Sequence, residues 1–166
     1  ICALGKIPLH EGLSTIHTFL IEHPREVMIF VFQDAIEAVD LAQAMTQSGL
    51  MPLIYDGPGD QPWPTLGALI EKDKRVIVTT EKRGPPPGWH QRLWDIGWDT
   101  PYSFKSIEAL EASGGDNDSC RRNRGTTDGS LFLLNHWLST SIGLPDKEGA
   151  KTVNAKEFLL KRARRC

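Results

Sequence analysis

The stretch Pro24-Arg25-Glu26-Val27-Met28-Ile29-Phe30-Val31-Phe32-Gln33-Asp34 decides the fold. Val27 to Phe32 is a run of six apolar residues without period-2 alternation, rich in β-branched and aromatic types. Such a run reads as a strand buried on both faces, the kind found in parallel sheets covered by helices. A short buried helix gives a similar run, but Pro24 before it and a helical pattern after it favour the strand. Its carboxyl end delivers two polar residues, Gln33 and Asp34. In parallel α/β folds ligands bind where strands end.

Working outward, Leu9, Leu13, Ile16 and Leu20 fall at helical spacing between Pro8 and Pro24, which predicts an amphipathic helix. His10, His17 and His23 lie on or beside it with Glu11 and Glu22, as a solvated polar face. Beyond the strand, Ala38, Leu41, Ala42 and Met45 form a second helical stripe that Gly49 closes. Leu53-Ile54-Tyr55 is a short strand candidate, and Trp63 to Ile70 a short helix with Pro64 near its start. Arg75 to Thr80 (RVIVTT) is the next buried strand, ending in Glu81, Lys82 and Arg83. The Gly84-Pro85-Pro86-Pro87-Gly88 tract admits no helix.

Trp89, Trp94, Trp98, Tyr102 and Phe104 form an aromatic tract that reads as core and loop packing, with Trp98 to Tyr102 at a strand end. The segment from Ala112 to Gly129 is polar and Gly-rich and reads as a surface loop carrying Arg121, Arg122 and Arg124. Leu131 to Leu134 is a third buried strand that delivers Asn135, His136 and Trp137. A helix from about Val153 closes the chain, with Lys161, Arg162, Arg164 and Arg165 in its last turns, where the helix dipole favours cations.

Strands alternating with helices imply βα units and a parallel sheet. About four units are present, whereas a full eight-unit barrel takes about 250 residues, so a partial barrel and a flavodoxin-like open sheet both fit. Neither a GxGxxG fingerprint nor a Walker motif occurs. The 166 residues, 40% apolar and 24% charged, suffice for one globular domain. A net charge of −2 argues against nucleic acid as the partner. No run of about 18 apolar residues marks a membrane span. The opening Ile1-Cys2-Ala3-Leu4-Gly5 has neither Met nor a basic leader, as a fragment or processed chain would. Cys2, Cys120 and Cys166 have no metal-binding spacing; free thiols and one disulfide with an unpaired remainder stay equally open.

Three strand ends, Gln33-Asp34, Glu81-Lys82-Arg83 and Asn135-His136, would bring carboxylates, cations, an amide and an imidazole to one rim. That mixture suits acid/base chemistry beside an anionic substrate. Singly, each has a plainer role: Asp34 can cap a helix, Lys82 and Arg83 can be solvated, and His136 can be a hydrogen-bonded core residue.

Several segments then occur in a telling order: Cys2-Ala3-Leu4-Gly5, Phe19-Leu20, His23-Pro24, Glu26-Val27, Trp63-Pro64-Thr65-Leu66, Asp99-Thr100-Pro101-Tyr102, Leu134-Asn135-His136-Trp137 and Val153-Asn154-Ala155. Together they resemble the phosphatidylinositol-specific phospholipase C-like phosphodiesterases, particularly the secreted microbial and fungal branch. The resemblance implies a partial (β/α)8 barrel that lacks its first strands and its last. It implies a phospholipid or related phosphodiester as substrate, cleaved by a histidine pair, one neutral as base and one charged as acid near neutral pH. In the family that pair lies upstream of the segment resembling Ile1 to Gly5, so none of the five histidines here inherits it.

Gln33, Asp34, Glu81, Lys82 and Tyr102 are the implied rim residues, with Asn135 and His136 supporting them. Some branches hold Ca²⁺ with carboxylates; the amide of Gln33 does not support that here, and no cofactor is expected. The resemblance further implies a Cys120–Cys166 disulfide, hence an extracellular or otherwise extracytoplasmic setting. It implies a monomer, with contact to a membrane surface at most peripheral. A non-catalytic, barrel-derived binding module is the alternative. An incomplete barrel would leave strand edges unpaired and prone to aggregation.

Overall fold

A computed structural model describes residues 6–33, 36–57, 62–81 and 89–166. It divides into two compact units, one up to Leu93 and one from Trp94. The fold is mixed α/β, built on two three-stranded sheets.

In the first unit, α1 (Leu9–Glu22) runs from Pro8, which stands at the N-cap, and places Leu13 and Leu20 in the core. β1 (Met28–Phe32) follows. Next, α2 (Ala38–Gln47) buries Leu41, Ala44 and Met45. It ends as its glycine foretold: Gly49 has φ +81°, and the N–H groups of Gly49 and Leu50 donate to the carbonyls of Thr46 and Met45. That pair of reversed bonds is available because Gly tolerates the left-handed conformation. α3 (Leu66–Glu71) begins three residues later than its pattern predicts. The Thr65 hydroxyl caps it by accepting from the Ala68 N–H at 3.2 Å, and a capping hydroxyl outweighs Pro64 as a start signal.

β2 (Val76–Thr80) and β3 (His90–Arg92) complete a parallel sheet in the order β1-β2-β3. The predicted strand at Leu53–Tyr55 is instead a 3-10 turn over Met51–Leu53. Only Ile54 then bridges to Val76, since a Pro at the turn's start withholds the N–H that a ladder needs. β3 was hidden in the aromatic tract. Residues 34–35 and 82–88, which hold Asp34, Lys82, Arg83 and the Gly-Pro loop, lie outside the described residues.

The expectation that β1 is buried on both faces does not hold. Met28, Phe30 and Phe32 pack into the cluster formed by Leu13, Leu20, Leu41, Met45, Val76 and Val78. Ile29 and Val31, on the opposite face, are 49% and 41% exposed. The reason is geometric: β1 is an edge strand among the described residues, with α1 and α2 over one face only, whereas the central strand β2 is buried throughout. Arg75, just before β2, is 3% exposed. Its guanidinium donates to the carbonyls of Leu20 (2.9 Å) and His23 at the end of α1 and to the Asp73 carboxylate at 2.7 Å. A cation there satisfies carbonyls that the helix leaves open.

In the second unit, α4 (Leu93–Ile96) crosses the boundary and leads into β4 (Gly97–Asp99). α5 (Ile107–Glu111), β5 (Arg124–Gly125), β6 (Leu131–Leu133), α6 (Lys147–Val153) and α7 (Lys156–Arg165) follow. β6 lies parallel to β4, but β5 is antiparallel to it. The purely parallel sheet is therefore corrected, and no closed barrel forms among the described residues. Gly125 makes the antiparallel approach feasible: its φ is +86°, and a Cβ there would lie 2.1 Å from the Gly97 carbonyl oxygen.

The C-terminal helix predicted from about Val153 is α7, which begins three residues later at Lys156, and α6, which the sequence reading did not anticipate, precedes it across Asn154–Ala155. Asp146 starts α6 by accepting from the N–H groups of Glu148 and Gly149. The loop predicted over residues 112–129 holds a 3-10 turn at Gly115–Asn117, strand β5 and the buried Ser119. Cys120 and Cys166 are joined by a disulfide, the pairing the resemblance implied; Cys2 lies outside the described residues.

His90 opens β3 half-buried, its Nε2 without a hydrogen-bond partner. Burial pushes its pKa below the usual 6.5, because a low-dielectric site disfavours the imidazolium. The unfolded chain therefore takes up this proton first as pH falls. Stability should be unaffected by His90 above about pH 6.5, fall progressively below it, and level off below the lowered value. Urea midpoints measured from pH 8 to pH 5 check this: His90→Phe should remove that part of the slope.

Candidate functional site

The parallel sheet of the first unit brings three strand ends to one side. Gln33 follows β1 and is exposed; Glu81 follows β2, its N–H donating to the Phe32 carbonyl at 3.1 Å. Arg92 closes β3 and donates through Nε to the Glu81 carbonyl at 3.2 Å. An amide, a carboxylate and a guanidinium thus share the carboxyl edge of three adjacent parallel strands. The sequence pointed to the first two. Arg92 escaped notice because three residues of strand inside an aromatic tract carry no periodicity. Asp34 and Lys82 belong to these strand ends by sequence, outside the described residues.

In the second unit the parallel pair β4 and β6 presents Asp99-Thr100 beside Asn135-His136. Asp99 is fully buried, and its carboxylate accepts five hydrogen bonds. Oδ1 receives the backbone N–H of Arg124 (2.8 Å) and the Asn123 amide (3.3 Å). Oδ2 receives Arg124 Nη2 (2.7 Å), Arg124 Nε (3.1 Å) and Asn135 Nδ2 (3.1 Å). A buried carboxylate persists only with such pairing. The Arg124 guanidinium, 37% exposed, lies 4.2 Å from the ring centre of Trp94 and 5.0 Å from that of Tyr102. Tyr102 itself is 45% exposed, so a phenol ring backed by a cation faces outward at the end of β4. Among the described residues there is no group of three or more His, Cys, Asp or Glu that could hold a metal ion.

Asn135 stitches the two strand ends together. Its N–H donates to Thr100 Oγ1 at 3.0 Å, and its amide reaches both Asp99 and the Thr100 carbonyl (2.6 Å). His136 is committed on both ring nitrogens. Nε2 lies 2.9 Å from the Val153 carbonyl, which can only accept, and Nδ1 takes a weak bond from Arg162 at 3.4 Å. These partners select the Nε2–H tautomer and leave neither nitrogen available for proton transfer to a ligand.

Arg162, expected among the solvated cations at the end of the last helix, is 3% exposed. It donates to the carbonyls of Asn135 (2.6 Å) and Ser119 (3.0 Å). Burial, with Arg165 nearby, lowers its pKa to about 10, so it remains charged at neutral pH. Arg165 reaches Ser119 Oγ at 2.6 Å and the Glu111 carbonyl. The sequence reading named Asp99 as part of a motif, Arg124 in a surface loop and Arg162 as a helix-end cation, and missed the buried pairing of each. The one available signal was an acidic residue at the end of a short apolar strand, with the polar Asn123-Arg124 pair far downstream.

The structure therefore places Gln33 and Glu81 at one strand edge. It places Tyr102, Asn135 and His136 together in the second unit.

A family model described as PI-PLC X 1 matches residues 2–166. A protein of the fungus Arthroderma benhamiae, PI-PLC X domain-containing protein 1, is 29% identical over 162 residues, covering 86% of this chain and 49% of that protein. The chain thus spans about half the length of that relative. No solved structure matches.

Replacing Asp99 by Asn puts an amide N–H₂ where donors already converge and removes the carboxylate charge that faces the Arg124 guanidinium. Asp99→Asn should cost about 2–4 kcal/mol of unfolding free energy, read from urea denaturation. Asn123→Ala, which removes only the 3.3 Å bond of a surface side chain, should cost less than about 1 kcal/mol.

Proposed function

Because the chain belongs to the PI-PLC X family, we propose that it is the central and later part of a phospholipase C-like phosphodiesterase of the secreted branch. The substrate is a phospholipid or related phosphodiester. The family match over residues 2–166 is the observation that carries the reading. Parallel pairing of β1, β2 and β3, and of β4 with β6, supports one incomplete phosphodiesterase barrel over residues 1–166.

In this reading the acid/base histidines lie in the half of the protein that this chain does not span. One takes a proton from a hydroxyl whose oxygen attacks phosphorus; the other protonates the departing oxygen. The occupied ring of His136 supports assigning that pair elsewhere. Gln33 and Glu81 are the phosphate-facing candidates at the strand ends of the first unit, a set that Asp34 and Lys82, outside the described residues, join by sequence alone. Tyr102, held by Arg124, packs against the headgroup, and Asn135 and His136 fix the strand ends beneath it. The neutral amide of Gln33 is a poor Ca²⁺ ligand beside a carboxylate, so no metal enters the proposal. The Cys120–Cys166 disulfide supports an extracytoplasmic location. No helix of the described residues is long and apolar enough to cross a membrane.

The full-length parent, assayed on phosphatidylinositol and on glycerophosphodiesters, should release headgroup phosphate from at least one of them. The 166-residue chain alone should release none. Tyr102→Ala and Glu81→Gln in the parent should each lower kcat/KM by about tenfold or more with the fold intact by circular dichroism. A parent inactive on the whole panel would favour the binding-module reading, and turnover by the isolated chain would refute the assignment of the histidines.

A further inference from the structure

Of the four asparagines in the chain, Asn117 alone has a serine or threonine two positions on, in Asn117-Asp118-Ser119 with no proline between. That pattern is the acceptor for N-linked glycosylation in the secretory pathway. Three-residue patterns also arise by chance, so placement decides. Asn117 ends the 3-10 turn Gly115–Asn117 and is exposed. Gly114 and Gly115, with φ +81° and +65°, enter the turn in a conformation other residues rarely adopt. The Asp118 carboxylate holds the loop by accepting the N–H groups of Gly114 (3.0 Å) and Cys120 (2.8 Å).

The Asn117 amide itself is left over. No hydrogen bond among the described residues uses it, so a bulky group on Nδ2 displaces nothing. Asn117 also borders an open groove of about 380 Å³, with Pro101, Ala109 and Ala112 on its apolar side and Ser103, Asp116 and Arg121 on its polar side. That size and mixture suit a sugar ring, which offers hydroxyls at its edge and an apolar face.

We propose that Asn117 carries an N-linked glycan, an inference that rests on the extracytoplasmic location proposed above. The donor is a lipid-linked oligosaccharide diphosphate. Asn117 Nδ2 bonds to the anomeric carbon of the first sugar and loses one proton. The bond from that carbon to the diphosphate oxygen breaks, and the lipid diphosphate leaves.

Transfer has to come before folding, because the Ser119 hydroxyl that completes the acceptor is 1% exposed and already engaged. It donates to the Leu110 carbonyl and accepts from Arg165 Nη2, each at 2.6 Å. The lock is remote. Arg165 lies 46 residues beyond Ser119, and Cys166 lies 46 beyond its disulfide partner Cys120. A chain made at about 5–20 residues per second therefore keeps the acceptor open for roughly 2 to 9 s after it emerges. Once the helix α7 docks, Ser119 is withdrawn while Asn117 stays at the surface, so the glycan and the closed unit coexist.

The full-length parent, recovered from its source organism, tests this. After enzymatic deglycosylation in heavy-oxygen water, mass spectrometry of the peptide holding Asn117 should show the labelled aspartate that release of a glycan leaves. Asn117→Gln should remove one glycan's worth of gel mobility shift, with an unchanged circular dichroism spectrum. Cys166→Ser, which removes one lock, should leave the glycosylated fraction equal or raise it, and a fall would overturn the ordering. A secreted parent whose Asn117 is bare in every molecule, or whose mobility does not respond to Asn117→Gln, would overturn the inference and leave the location standing. A parent confined to the cytosol would overturn both.

Discussion

A carboxylate with no access to water has to be answered by donors, and in the second unit that obligation falls on Asp99. Its five hydrogen bonds come from the adjacent pair Asn123 and Arg124 and from Asn135, 24 to 36 residues further along the chain. Meeting the demand of one side chain therefore fixes three segments. β5 is held antiparallel at only two residues because the Arg124 backbone N–H is one of the donors. The end of β6 is held level with the end of β4 because the Asn135 amide is another. Arg124, turned inward by this ion pair, lies near the rings of Trp94 and Tyr102. The outward-facing part of the site is thus a consequence of the buried part.

The elements visible in the sequence are those whose own residues supply the reason for their structure. The stripe of Leu13, Ile16 and Leu20, the apolar runs at 28–32 and 76–80, and Gly49 at the end of α2 each carry a local signal. Strands β3 and β5 carry none. Three residues beginning at His90, and a pair at Arg124, extend only because a neighbouring strand or a buried carboxylate holds them. β1 shows the limit of the apolar-run argument. The same composition serves a strand covered on one face or on two, and which obtains depends on neighbours that a linear pattern does not record.

The candidate site follows the same division. Gln33 and Glu81 were legible because position at a strand's end is itself the functional argument, and Tyr102 because of the Asp99-Thr100-Pro101-Tyr102 motif. Arg162 was legible as a cation and misplaced as a solvated one. On a helix of mostly polar residues, nothing local distinguishes a guanidinium aimed at solvent from one aimed at the carbonyls of Asn135 and Ser119. Arginine can take the buried position because its planar fork serves several acceptors while staying charged.

The distribution of these devices tracks the size of the two cores. The first unit has a buried apolar cluster drawing on both long helices and the sheet, running from Leu13 through Met45 to Val78 and Trp89. The second has Phe104, Leu110, Leu138 and Val153, with Ile107 and Phe158 packed against them. A core that small does not offset the conformational entropy of the segments it must hold. The additional constraints all converge on one place. Arg162 and Arg165 reach Ser119, and the disulfide ties Cys120 to Cys166 across 46 residues. On the chain-entropy account a loop of that size is worth between about 3 and 5 kcal/mol. α7 thus closes the unit by polar and covalent links where apolar burial is short. Through Arg162 and Asn135 those links reach Asp99 and the strand ends that carry Tyr102.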